Sequence, residues 1–233
     1  MQNKQYELCL AVLRRLQEAS VLQHLVLIGS WCLPLYQDYF KDVGDLYPVK
    51  TRDIDFLVPR SGAFPTRVSV PDLLKDLGFI TGFRGEKGCM VLEHPELMIE
   101  FLVPERGRGN EEVRDIPALG MNAQPLRFLD VALKKTMCLR FEDIPVIVPH
   151  PAAFALHKLL VAPRRRNVEK RRKDTDSALI ILDLIAKKRA LDDVRDLMRR
   201  FPRTWRNTIL SALGAERRED LARSLTGNGR VSG

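Results

Sequence analysis

The stretch Asp53-Ile54-Asp55-Phe56-Leu57-Val58, stopped by Pro59, constrains the fold of this chain more than any other. Alternating acidic and apolar residues with aromatic and branched members predict a strand, and proline closes it because it lacks a ladder N–H. Successive strand side chains leave opposite faces. Ile54 and Phe56 therefore turn to a core, while Asp53 and Asp55 share the other face, about 6–7 Å apart. Two carboxylates so placed repel each other and resist desolvation. Either the strand lies at an edge with both acids in water, or a cation relieves them. A hydrated Mg²⁺ suits the second case, since it takes one or two carboxylates together with substrate phosphates.

The segments around this strand extend the pattern. Leu25-Val26-Leu27-Ile28 is wholly apolar and stops at Gly29-Ser30, which predicts a buried strand. Ser30 is expected to cap a helix running to about Phe40, with Pro34 one turn in. A strand, a glycine and a helix start offer backbone N–H groups and a positive dipole end to a phosphate. The same dipeptide also serves as a plain strand-to-helix turn. No GxxxxGK[ST] and no GxGxxG is present, so P-loop and dinucleotide-fold readings have no support. In Leu97–Val103 Glu100 is the one residue that is not apolar. It needs an Arg partner, solvent or a cation. If its strand lies beside Asp53–Val58, three carboxylates converge, the donor set that two Mg²⁺ ions require.

The rest of the chain reads as two parts. Tyr6, Leu10, Leu13 and Leu16 predict an amphipathic helix, Asp42 to Lys50 a loop, and Pro71 to Leu77 a short helix ended by Gly78. Cys89–Leu92 and Leu97–Val103 form a hairpin about His94-Pro95-Glu96. Pro104 to Asn122, rich in Gly, Pro and Arg, reads as a flexible excursion, followed by strands at Leu133–Phe141 and Val146–Val148. After Pro149-His150-Pro151, helical spacing holds in Ala152–Val161, Thr175–Lys188, Leu191–Arg200 and Thr204–Leu213, with a frayed tail over Thr226–Gly233. The chain thus divides into an α+β domain, 1–149, and a helical domain, 150–233.

Charge narrows the function classes. Lys and Arg number 38 against 30 Asp and Glu, a net +8, which favours polyanionic partners. Arg164 to Lys173 holds seven cations and one anion, either a phosphate-binding edge or a mobile surface loop. Cys9, Cys32, Cys89 and Cys138 lie far apart, with neither zinc spacing nor a disulfide framework. No apolar run approaches the 18–20 or so residues of a membrane span, and the start lacks a secretion signal, so a cytoplasmic protein is expected.

Leu27-Ile28-Gly29-Ser30, then Arg52-Asp53-Ile54-Asp55-Phe56-Leu57, then Met98-Ile99-Glu100-Phe101 is an ordered set that resembles the polymerase-beta-like nucleotidyltransferase superfamily. That superfamily includes DNA polymerase beta, the CCA-adding enzymes and the minimal nucleotidyltransferases. Two departures are Arg52 where a hydrophobic residue is usual and Glu100 where Asp is commoner. Downstream, Leu156-His157-Lys158-Leu159 and Lys173-Asp174 are similar to helix motifs of bacterial nucleotidyltransferase-fold proteins, among them the AbiEii-type toxins of toxin–antitoxin systems. The resemblance implies a mixed sheet flanked by helices, then a helical domain. It implies NMP transfer from an NTP to an acceptor hydroxyl with Mg²⁺ or Mn²⁺, the acceptor being RNA or tRNA. Asp53, Asp55 and Glu100 would hold the metals, Gly29 and Ser30 the terminal phosphates, and Lys158 would point a cation at the triphosphate. Lys158 can equally snorkel from an apolar helix. Lys173, Asp174 and Arg164–Arg166 orient helices or touch the acceptor, and His157 is a packed helix residue. Two alternatives stay open: a non-catalytic nucleotide- or nucleic-acid-binding member of the fold, and an enzyme that nucleotidylates protein.

Overall fold

A computed structural model of the chain describes residues 2–46, 51–59, 64–105 and 112–227. The end of the expected 42–50 loop, the middle of the 104–122 excursion and the 228–233 tail lie outside the described residues. The chain clusters into two units, one of residues 1–39, 46–130 and 136–149, the other of residues 40–45, 131–135 and 150–233.

The first unit is built on a mixed sheet. β1 (Val26–Ile28) pairs antiparallel with β2 (Asp53–Leu57), which runs parallel to β5 (Met98–Pro104). β5 is antiparallel to β4 (Cys89–Glu93), and β4 to β3 (Ile80–Arg84), giving the order β1-β2-β5-β4-β3. β6 (Arg114–Ile116) and β7 (Met121–Leu126) pair with each other, and β7 also runs parallel to β5. Part of the Gly- and Pro-rich excursion is therefore folded. Met121, Ala123 and Pro125 point inward from β7 while their neighbours do not, an alternation that the prolines and glycines around it obscure.

Hydrophobic register fixes the central pair. Ile54, Phe56, Ile99 and Phe101 are fully buried, and the rings of Phe56 and Phe101, register partners, stack with centroids 5.7 Å apart. Burying side chains of this size stabilises by about 1.5–3 kcal/mol each. A one-residue slip would turn all four to the opposite face, so the core fixes where the acids stand.

Helix α1 (Gln2–Glu18) buries the expected Leu13 and Leu16 together with Cys9 and Val12, while Tyr6 and Leu10 are half-buried, and it packs on α3 (Val70–Leu74). Between them in the chain, α2 (Cys32–Phe40) follows a 3-10 turn over Gly29–Trp31, so Ser30 lies inside that turn and is not a helix cap. The Tyr36 hydroxyl on α2 donates to the Pro149 carbonyl at 2.6 Å. After α4 (Leu129–Ala132), β8 (Thr136–Phe141) and β9 (Ile144–Pro149) make a separate hairpin. The expected strand from Leu133 thus begins three residues later.

The second unit is helical around α5 (Pro151–Val161), whose Ala152–Leu156, Leu159 and Leu160 are all buried. A helix apolar on most sides belongs at the centre, and α5 packs on α6 (Val168–Lys187), α7 (Leu191–Arg199) and α8 (Arg203–Ala215). His150 caps α5, its Nδ1 accepting the Ala152 N–H at 3.2 Å, and Pro151 takes the first turn. α6 starts seven residues before the expected Thr175, capped by Asn167, so most of the basic block is helix and not loop. α9 (Glu219–Thr226) follows, a helix without a counterpart in the sequence reading. Among the described residues no helix is long and apolar enough to cross a membrane.

Candidate active site

The acids come from the two central strands. Asp55 and Glu100 are register partners on the parallel pair β2–β5, and Asp53 lies two residues before Asp55. Adjacent strands run about 4.8 Å apart, so the three side chains rise from one face of the sheet. All three are partly exposed, whereas Ile54, Phe56, Ile99 and Phe101 beneath them are sealed. The same alternation that buries the aromatic residues therefore leaves three negative charges together at an open surface.

Gly29 completes the arrangement. Ile28 is the register partner of Asp55, and Gly29 follows it with φ +75°. A Cβ at Gly29 would stand 2.5 Å from Asp55 Oδ2, closer than any side chain tolerates. Only glycine adopts this left-handed backbone freely while leaving the carboxylate room. The structure thus brings Gly29 and Asp55 into direct apposition, sets Glu100 beside Asp55 and Asp53 one pleat along, and makes Ser30 the next residue of the turn. Among the described residues no three Asp, Glu, His or Cys side chains are grouped as a ready-made ion cage.

One residue that the sequence reading missed lies beside Glu100. Arg84 at the end of β3 places its guanidinium 3.0 Å from Glu93 and 3.8 Å from Glu100. Arg52 donates to the His94 carbonyl at 3.2 Å. The signal for β3 was present: Ile80 to Arg84 and Cys89 to Glu93 bracket Gly85-Glu86-Lys87-Gly88, with both glycines at positive φ, a hairpin pattern.

Lys158 belongs to the helical unit and is 8% exposed. Its Nζ bonds to Asp174 Oδ1, and Asp174 Oδ2 accepts from Arg165 Nε at 2.9 Å. Burial pushes the Asp174 carboxyl up, but the two cations outweigh it and hold its pKa below the usual value. His157 is driven down to about 3, first by burial and then by Lys158. Its Nε2 is buried without a hydrogen-bond partner among the described residues, consistent with a packed residue. Of the basic block, Arg164, Arg166, Lys170, Arg171 and Arg172 are exposed, and Arg165 and Lys173 are half-buried.

The sequence model of a family described as Nucleotidyltransferase matches residues 7–202, which include every element of the acid face. The chain belongs to the nucleotidyltransferase family. Transfer of a nucleotidyl group is accordingly the class of reaction of this enzyme. Among solved structures, the nucleotidyltransferase resembles an antigenic nucleotidyltransferase-like protein from Paracoccidioides brasiliensis, with 15% identity, a TM-score of 0.51, and 97% of this chain and 95% of that one covered. That similarity shows a shared fold. A second similar structure is ANT(2'')-Ia in complex with adenylyl-2''-tobramycin, at 15% identity and TM-score 0.44, covering 95% of this nucleotidyltransferase and 97% of that chain. A search of curated proteins returns no match.

Proposed function

We propose that this nucleotidyltransferase moves NMP from an NTP to an acceptor hydroxyl with Mg²⁺ or Mn²⁺, and that the acceptor is RNA, such as a tRNA end. The observation that carries the reading is the apposition of Gly29 to the Asp55 carboxylate, with Glu100 in register beside it. Carboxylate oxygens on one face are the hard donors a divalent ion takes, and a glycine without a Cβ leaves the space that phosphate oxygens need. Asp53, Asp55 and Glu100 would hold the ion, which when bound neutralises triphosphate charge. The Gly29 and Ser30 N–H groups and the Ser30 hydroxyl would bind the terminal phosphates. Glu100, beside Asp55 and two-thirds or more shielded from water, would accept the proton of the acceptor hydroxyl. Lys158 is left outside this set, its ammonium being engaged by Asp174. RNA is favoured by the exposed Arg166, Lys170, Arg171 and Arg172 at the start of α6, since such a cluster releases counterions on meeting phosphates.

Incubation with each labelled NTP, Mg²⁺ or Mn²⁺ and total RNA or cell lysate tests this. A labelled RNA band is expected, and Asp53→Ala with Asp55→Ala should reduce labelling by about a thousandfold or more with an unchanged circular dichroism spectrum. Equal labelling by the double variant would remove the site. Label confined to protein would replace RNA with a protein acceptor.

A further inference from the structure

We propose that the face of β3, β4 and β5 beside the acids is the acceptor subsite, and that it selects a hydroxyl compound bearing a phosphate group. This rests on the nucleotidyl-transfer reading above and names the substrate class that the same site receives. Asp53, Met98, Glu93 and Ile80 are successive register partners across β2, β5, β4 and β3. This row lies one pleat from the row of Asp55 and Glu100. It lines a cleft of about 610 Å³ together with Arg52 and Arg84, a volume within the usual range for small-ligand sites.

Direction follows from the sheet order. Gly29 follows β1, on one side of the acid-bearing strands, and the cleft extends to β3 on the other. In phosphoryl transfer the attacking and leaving oxygens stand roughly in line on opposite sides of phosphorus. With the terminal phosphates at Gly29, the acceptor oxygen arrives from the cleft, whose wall includes Asp53, with Glu100 one pleat along on β5 beyond Met98. The O–P bond to the acceptor forms as the bond to pyrophosphate breaks, and the hydroxyl proton passes to the Glu100 carboxylate.

Charge and shape give the acceptor's class. Once Asp53, Asp55 and Glu100 serve the triphosphate, the cleft keeps Glu93 against Arg52 and Arg84, one cation in excess. Gly82, between Ile80 and Arg84, is part of the design: a Cβ there would meet Glu93 Cδ at 3.1 Å and Val91 Cγ2 at 3.3 Å. Its absence lets Glu93 lie across β3 and hold the Arg84 guanidinium at 3.0 Å, facing solvent at the mouth. Ile80, 68% exposed, and Met98 supply an apolar wall for a base or carbon skeleton. A guanidinium fork beside an apolar wall fits a phosphate and the ring it carries. A terminal nucleotide of RNA and a free phosphorylated metabolite share that chemistry.

The test is calorimetric titration of the full chain with cytidine 5'-monophosphate and with cytidine, Mg²⁺ and a non-hydrolysable ATP analogue being saturating. The monophosphate should bind at least about tenfold more tightly than cytidine. Arg52→Ala with Arg84→Ala should erase that preference and change analogue affinity less than twofold, and Arg84→Lys should restore part of it. A 5'-phosphorylated oligoribonucleotide binding more tightly than the monophosphate assigns the phosphate to RNA; equal affinity assigns it to a small molecule. Both outcomes support the subsite. Equal binding of cytidine and its monophosphate by the wild type, or loss of analogue binding in step with monophosphate binding, overturns it. Failure of the analogue to bind the wild type strikes the nucleotidyl-transfer reading instead. Thermal melts of each variant confirm folding.

Discussion

The acid face of the sheet unit and the buried cluster of the helical unit each gather three charged side chains, and they do so in opposite ways. Asp53, Asp55 and Glu100 have one sign, are partly exposed, and are held together by strand register. Lys158, Asp174 and Arg165 have mixed signs, and the first two are 8% and 4% exposed. Like charges kept side by side cost stability unless a cation lies near them. Opposite charges in the interior already hold their compensation, and their desolvation makes them intolerant of losing a member. The first arrangement lies at an open surface, with the Arg84 guanidinium 3.8 Å from Glu100; the second ties α5 to α6. Both contain residues of the expected site, and charge type alone did not separate the two roles. Sign and burial do.

The sharpest way to break this contrast is Asp174→Ala. It leaves two cations facing each other, Lys158 without an exit to water, and breaking such a pair costs about 3–5 kcal/mol. Urea denaturation should show that loss, and Lys158→Met combined with Asp174→Leu should recover most of it. In the same measurement Asp53→Ala with Asp55→Ala should cost less than about 1 kcal/mol, because removing like charges relieves repulsion. A cost below about 1 kcal/mol for Asp174→Ala, or a large one for the aspartate pair, would dissolve the distinction.

Much of the acid face was legible because period-two patterning is unambiguous where one side is apolar. Asp53 and Asp55 stand out against Ile54 and Phe56, and Glu100 against its apolar neighbours. What single strands cannot carry is their pairing: that Asp55, not Asp53, faces Glu100 follows from Phe56 stacking on Phe101. β3 escaped notice because Ile80, Thr81, Phe83 and Arg84 are all exposed on an edge and Gly82 adds no side chain, so no alternation marks it. With β3 hidden, Arg84 could not be seen beside Glu100. In α6 the first two turns are charged and the buried stripe begins only at Asp174, which made helix look like loop. Asp174 then went unread as the partner of Lys158, since 16 residues and a turn between helices separate them.

Gly29→Ala sharpens the contrast from the open side. The left-handed backbone at φ +75° costs a non-glycine residue about 1–2 kcal/mol, and the new Cβ must push the Asp55 carboxylate away from a 2.5 Å approach. Stability should fall by about 2 kcal/mol. NTP affinity, measured by equilibrium titration with Mg²⁺, should fall at least about tenfold, because one methyl group displaces both the phosphate space and a carboxylate. Asp174→Ala, read at a denaturant concentration where it remains folded, should show a smaller effect on NTP affinity than on stability. An unchanged affinity in Gly29→Ala would mean that the Gly29–Asp55 apposition serves only the fold.

The mildest effect comes from acid acting on the closed cluster. His157 protonates near pH 3 in the folded chain, against about 6.5 when unfolded, burial being the main cause and Lys158 and Arg165 adding repulsion that Asp174 only partly offsets. Below pH 6.5 the unfolded chain takes up a proton that the folded chain refuses. The contribution of the neutral imidazole is therefore complete above pH 6.5 and declines by up to about 1.4 kcal/mol per pH unit as pH falls toward 3. His150 shifts in the same direction, through burial and then Lys135, with Asp193 opposing. Its Nδ1 accepts the Ala152 N–H only while it carries no proton. Unfolding free energies from urea titrations at pH 7.5 and 5.5 should differ by about 1–2 kcal/mol in the wild type, and His157→Gln should flatten most of that slope. A slope unaffected by His157→Gln would place the acid-sensitive element elsewhere and leave the helical cluster without the closed, proton-refusing interior on which its contrast with the open face depends.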